Sequence, residues 1–150
     1  MTDIDDLYEQ TILDHNRTPR NYGKLEGANR SSEGHNPLCG DHFHIYLKVE
    51  NGAISDVRFE GAGCAISKAS ASIMSSLIKG KTLADAEALF TKFHKLVTAQ
   101  LGEKETAEGL GKIAVFAGVC DYPVRVKCAS LAWHTMMMAL KEDGGKVCTE

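Results

Sequence analysis

Residues 41–49, DHFHIYLKV, alternate without a break. Asp41, Phe43, Ile45, Leu47 and Val49 fall on one face, and His42, His44, Tyr46 and Lys48 on the other. Asn51-Gly52 follows, the dipeptide best suited to a two-residue hairpin turn, because both positions there require positive φ. The next stretch, ISDVRFEG, supplies Ile54, Val57 and Phe59 to a second strand. A hairpin with one apolar and one polar face is half-solvated, and its apolar side must be covered. The apolar residues elsewhere recur at helical spacing, so helices do the covering.

Residues 3–15 carry Ile4, Leu7, Tyr8, Thr11 and Ile12 on one helical face, with Thr2 as N-cap and Asp3, Asp5 and Asp6 at the positive end of the dipole. In AISKASASIMSSLIKG, Ile66, Ala69, Ile73, Met74, Leu77 and Ile78 mark a second helix that Gly80 stops. A third begins at Thr82, where Thr-x-x-Asp resembles a capping box and Leu83, Ala86, Phe90, Phe93, Val97 and Leu101 form the stripe. DYPVRVKCASLAWHTMMMALKED reads as a last helix with Pro123 in its first turn. The stretch after the first helix is rich in turn formers, with room for one short strand. Residues 102–112 read as a loop and IAVFAGV as a short apolar segment of open type. The predicted architecture is α+β: a small antiparallel sheet of about three strands covered by helices. It forms one domain over residues 1–150, with residues 1–2 and about 143–150, including GGKVCTE, as frayed ends.

A chain of 150 residues buries a sufficient core without covalent staples. Its net charge of -3 leaves no basic footprint for nucleic acid. There is no apolar run of about 18 residues to cross a membrane. The acidic start, MTDIDDLYEQ, lacks the basic-then-apolar plan of a signal peptide. The reading is cytoplasmic and soluble, with neither nucleic acid nor membrane as partner. Five cysteines, at 39, 64, 120, 128 and 148, are odd in number, irregularly spaced and lack any C-x-x-C. In a reducing compartment they act as ligands, nucleophiles or core filler before they act as disulfides.

Cys39 lies in the turn before the first clear strand, two residues from the inward-facing Asp41. Cys64 opens a helix, where free N–H groups and the dipole favour a thiolate. Cys128 lies within two turns of Pro123. Each alone fits a buried structural cysteine. Three at element ends, one beside an inward carboxylate, point to a thiolate site. The His42-x-His44 pair can bind metal from one strand face, but it points away from Asp41 and reads as a solvated pair. His134 lies about 240° round the helix from Cys128, whereas Arg125 lies about 60° from it and can sit over the site. His15, His35 and His94 fit surface or packing roles, and Met136, Met137 and Met138 read as core.

The pieces LYEQTILDHNRTPRNYG, NPLCGD, FEGAGCAISKASASIM and YPVRVKCASLAWHTM, in this order, resemble the IscU/SufU/NifU-N iron–sulfur assembly family over nearly the whole chain. The resemblance implies an SufE/IscU-like fold, a role in iron–sulfur cluster biogenesis and a metal ligand set of Cys39, Asp41, Cys64 and Cys128. Cys39 corresponds to the sulfur-receiving cysteine. Within the family the chain looks like the SufU branch. Lys127 stands where IscU proteins carry the histidine of Leu-Pro-Pro-Val-Lys-Leu-His-Cys, and the interval from Cys64 to Cys128 is long. The implied cofactor is Zn²⁺, and the implied partner is a PLP-dependent, SufS-like cysteine desulfurase, with Arg125 and Lys127 in support. Cys39 would be the reactive group of at most a sulfurtransferase, not a stand-alone enzyme. The competing reading is a scaffold that builds a transient [2Fe–2S] cluster on the same residues for downstream assembly proteins or apo-acceptors. Cys120 has no counterpart among the family's ligands and reads as a packed or loop cysteine, or as a resolving thiol. Cys148 reads as free and dispensable.

Overall fold

The computed structural model describes residues 3–36, 40–97, 116, 123–141 and 146–148. In chain order the elements are α1 (Asp3–Arg17), β1 (Arg30–Asn36), β2 (Asp41–Glu50), β3 (Ala53–Ala62), α2 (Ala65–Ile78), α3 (Leu83–Val97), α4 (Pro123–Leu140) and β4 (Lys146–Cys148). The sheet runs β3-β2-β1-β4.

The hairpin that the alternation predicts is present. Asn51 and Gly52 hold φ of 53° and 77°, as a two-residue turn between twisted strands requires. Phe43, Ile45 and Leu47 of β2 and Ile54, Val57 and Phe59 of β3 are fully buried under the helices. β1 is the short strand for which the turn-rich stretch has room, and it pairs antiparallel with β2 from Arg30↔Leu47 to Asn36↔Asp41. Its inward residues are Ser32, Gly34 and Asn36, so no apolar alternation announces it. Small size is what this position needs. A Cβ on Gly34 would lie 2.0 Å from Thr135 Oγ1 and 3.0 Å from Leu131 Cδ1, so β1 rests directly on α4.

α4 is the central helix, with Cys128, Leu131, Trp133, Met136 and Leu140 all buried. α2 crosses it with small residues that allow a close approach. Ser70 Oγ donates to the Ala129 carbonyl at 2.6 Å and accepts from Trp133 Nε1 at 3.1 Å. On its other side α2 holds α1 through the buried Ser72. Its hydroxyl shares a 2.7 Å hydrogen bond with His15 Nδ1 and accepts the Arg20 N–H at 2.8 Å. α3 starts as its Thr-x-x-Asp suggests, with Asp85 N–H donating to Thr82 Oγ1 at 3.1 Å. Its Phe93 stacks on Trp133 at 4.5 Å and meets Phe116 edge-on at 5.6 Å.

The C-terminal stretch departs from the expected frayed end. Residues 146–148 add a fourth strand, parallel to β1, with Glu33↔Lys146 and His35↔Cys148 in register. Backbone groups along the edge of β1 make this pairing, so composition carries no sign of it. Among the described residues no helix is long and apolar enough to cross a membrane.

Candidate metal centre

Three elements end at one point. Asp41 opens β2, Cys64 is the N-cap of α2, and Cys128 sits in the second turn of α4. One ligand atom from each of the three lies within 4.8 Å of the other two. Neither cysteine is in a disulfide, and the set grades from half-buried Cys64 to buried Cys128 and Asp41.

Each side chain has a local reason to be there. Strand parity turns Asp41 inward with Phe43, and Asp41 Oδ1 accepts the Cys64 N–H at 2.8 Å. Cys64, with extended backbone (φ -69°, ψ 167°), accepts the Ser67 N–H on its sulfur at 3.5 Å. Ser67 Oγ lies 3.5 Å from the same sulfur and 3.0 Å from the Cys64 carbonyl. The buried Asn36, last residue of β1, points Nδ2 at Cys128 Sγ from 3.8 Å. A thiolate at either sulfur therefore meets N–H donors already in place. Gly63 keeps the centre open, since a Cβ there would lie 2.6 Å from both Asp41 Oδ1 and Ser67 Oγ.

Asp41 Oδ2 is buried and has no hydrogen-bond partner among the described residues. A carboxylate oxygen left so is costly unless a cation or proton meets it. Two sulfurs and a carboxylate oxygen, gathered within 4.8 Å, suit a borderline or soft metal such as zinc or iron. The residues fit a metal of this kind.

Of the predicted site residues, Asp41, Cys64 and Cys128 converge. Cys39 and Cys120 lie outside the described residues. Arg125 is exposed and Lys127 half-buried on the first turns of α4. His42 and His44 face the other side of the sheet, as alternation requires. Asn36, Ser67 and Gly63 complete the surroundings, and sequence reasoning passed over them. Ser67 had a signal, because it stands three residues after an N-cap. Asn36 had none, since only the β1–α4 packing brings it to Cys128.

A family model described as "NifU-like N terminal domain" matches residues 7–129. The zinc-dependent sulfurtransferase SufU of Bacillus subtilis is 38% identical over 143 residues, 95% of each chain. The iron–sulfur cluster assembly scaffold protein IscU of Thermotoga maritima is 39% identical over 136 residues, 91% of this chain and 94% of that one. Among solved structures, a chain from Fervidobacterium islandicum provisionally described as an iron–sulfur cluster assembly scaffold for the SUF system superimposes with a TM-score of 0.82. It is 36% identical, and the match covers 90% of this chain and 97% of that one.

Proposed function

The chain belongs to the NifU-like N-terminal domain family, and on that premise we propose that it works in iron–sulfur cluster assembly as a zinc-holding sulfur acceptor. Asp41, Cys64 and Cys128 hold the metal, with Cys39 as the fourth ligand and the sulfur-receiving thiol. The observation that carries the reading is the gathering of an Asp41 carboxylate oxygen and two cysteine sulfurs within 4.8 Å of one another, on a carboxylate whose buried Oδ2 has no hydrogen-bond partner among the described residues. Zinc bound there keeps its sulfur ligands deprotonated at neutral pH. Three thiolates and a carboxylate around Zn²⁺ sum to a charge near -2, which a cation from Arg125 or Lys127 offsets.

Sulfur transfer is thiol exchange. A PLP-dependent cysteine desulfurase offers a persulfide, and the Cys39 thiolate attacks its outer sulfur. The S–S bond of the donor breaks, its cysteine leaves as thiolate, and Cys39 carries the sulfane sulfur with its proton. Thiolate fraction and access set the rate. Meanwhile Asn36 and Ser67 keep Cys128 and Cys64 oriented by their N–H and O–H contacts, and Asp41 stays anchored through the Cys64 N–H.

A second reading has its own support. The identity to the Thermotoga IscU scaffold equals that to the sulfurtransferase within a percentage point. One carboxylate among three thiolates also makes a releasable cage for a [2Fe–2S] cluster carried as cargo. Anaerobic purification followed by metal analysis and visible spectroscopy separates the two. Zinc without colour, and persulfide labelling of Cys39 in the presence of a desulfurase, support the acceptor. Stoichiometric iron and sulfide with a cluster spectrum, and no Cys39 persulfide, replace it with the scaffold.

A further inference from the structure

The outer face of the sheet carries a second cluster of metal-ligating groups that the thiolate centre does not use. His42 and His44 project from β2 on the side opposite Asp41. Across the β1–β2 ladder His35 pairs directly with His42, and Glu33 directly with His44. Directly paired residues project to the same side of a sheet, so the four form a two-by-two array. The His35 and His42 ring centroids are 5.8 Å apart. Glu33 spans both imidazoles of β2, with Oε2 at 3.6 Å from His42 Nε2 and Oε1 at 3.9 Å from His44 Nδ1. The His44 ring is held in place by stacking on Tyr46 at 4.4 Å, and the Tyr46 hydroxyl donates to Glu60.

We propose that Glu33, His35, His42 and His44 form a second binding site, for a divalent transition-metal ion, on the solvent side of the sheet. Imidazole nitrogens with one carboxylate are the donor set of zinc, cobalt and nickel rather than of calcium or magnesium. Two histidines at i and i+2 on one strand, with a third and a carboxylate directly opposite, bring four donors to one face without distorting the ladder. Among the described residues no three of these donor atoms lie within 4.8 Å of one another, so an ion closes the array by side-chain rotation. His44 stays on Tyr46, so the rotation falls to His42, whose side chain is 60% exposed, and to Glu33. β2 itself separates this site from the thiolate centre, since His42 and the neighbouring Asp41 leave the strand on opposite sides.

Cobalt(II) titration of protein loaded with one equivalent of zinc, enough for the thiolate centre alone, tests the proposal. The expected result is one further equivalent of cobalt whose visible bands lack sulfur-to-metal charge transfer. The variant H42Q/H44Q should lose this uptake while keeping its zinc. E33Q should weaken it at least about tenfold, the lower range for losing even an outer-shell partner of a metal. In the wild type, histidine ring NMR signals of residues 35, 42 and 44 should broaden before those of residues 15, 94 and 134, which needs no variant to fold. No extra uptake, undiminished uptake by H42Q/H44Q, sulfur charge-transfer bands, or indiscriminate broadening would each overturn the site.

Discussion

The Asp41 carboxylate accepts the Cys64 amide at 2.8 Å, so the residue that opens β2 also fixes the start of α2. One oxygen of this carboxylate does structural work, and the other, Oδ2, is buried without a hydrogen-bond partner among the described residues. The two functions can be separated by substitution.

D41N keeps an oxygen that can accept the Cys64 N–H but removes the charge. It should fold with nearly unchanged stability and lose zinc to a mild chelator at least about tenfold faster, because losing a ligand costs no less than losing an outer-shell partner. D41A should lose the metal as readily and also unfold at lower urea, by about 1–3 kcal/mol, from the unsatisfied amide. Chelator-challenge kinetics beside urea titration check both. Unchanged zinc retention in both variants would remove Asp41 from the ligand set.

Gly63 tests whether the centre needs its open space. G63A brings a Cβ to 2.6 Å from Asp41 Oδ1 and Ser67 Oγ. The expected result is metal-to-protein stoichiometry well below that of wild type, with overpacking costing about 1–3 kcal/mol in urea unfolding.

The Ser72 hydroxyl ties α1 and the segment after it to α2 through His15 and the Arg20 N–H. S72A removes a hydrogen-bond partner from the buried His15 and from the part-buried Arg20 N–H. A destabilisation of about 1–3 kcal/mol is expected, with metal retention unchanged because the contact lies away from the centre. Urea midpoints and zinc content together test this.

Burial, and then the neighbouring His94, hold His134 below its usual pKa. Its folded-state pKa therefore lies under its unfolded value of about 6.5, and in acid the unfolded chain binds more protons. The contribution is intact above the unfolded pKa and is lost as pH falls through the folded one. Wild type should lose stability relative to H134Q between neutral pH and pH about 5. Urea midpoints of the two proteins across that range provide the measurement, and parallel curves would refute it.

Much of this fold is written in periodicities. The β2–β3 hairpin, the helical stripe of α3 with its Thr82 cap, and the opposition of Asp41 to His42 follow from spacings of 2 and 3.6 residues and from one Asn-Gly pair. These are local rules of backbone geometry, and they operate before any tertiary contact forms. β1 and β4 escaped them for a common reason. Ser32, Gly34 and Asn36 fit against α4 rather than forming an apolar face, and β4 is a three-residue strand that pairs along the backbone of β1.

The site divides along the same line. The sequence by itself determined that Asp41 faces inward, that Cys64 heads a helix and that Cys128 lies near the start of another, because each depends on neighbours a few residues away. Only the tertiary structure decided that these three meet, that Asn36 reaches the Cys128 sulfur, and that Glu33 bridges His42 and His44 on the far face. Those relations are set by how strands register and how closely helices approach, and close approach is governed by the bulk that glycine lacks and serine keeps small.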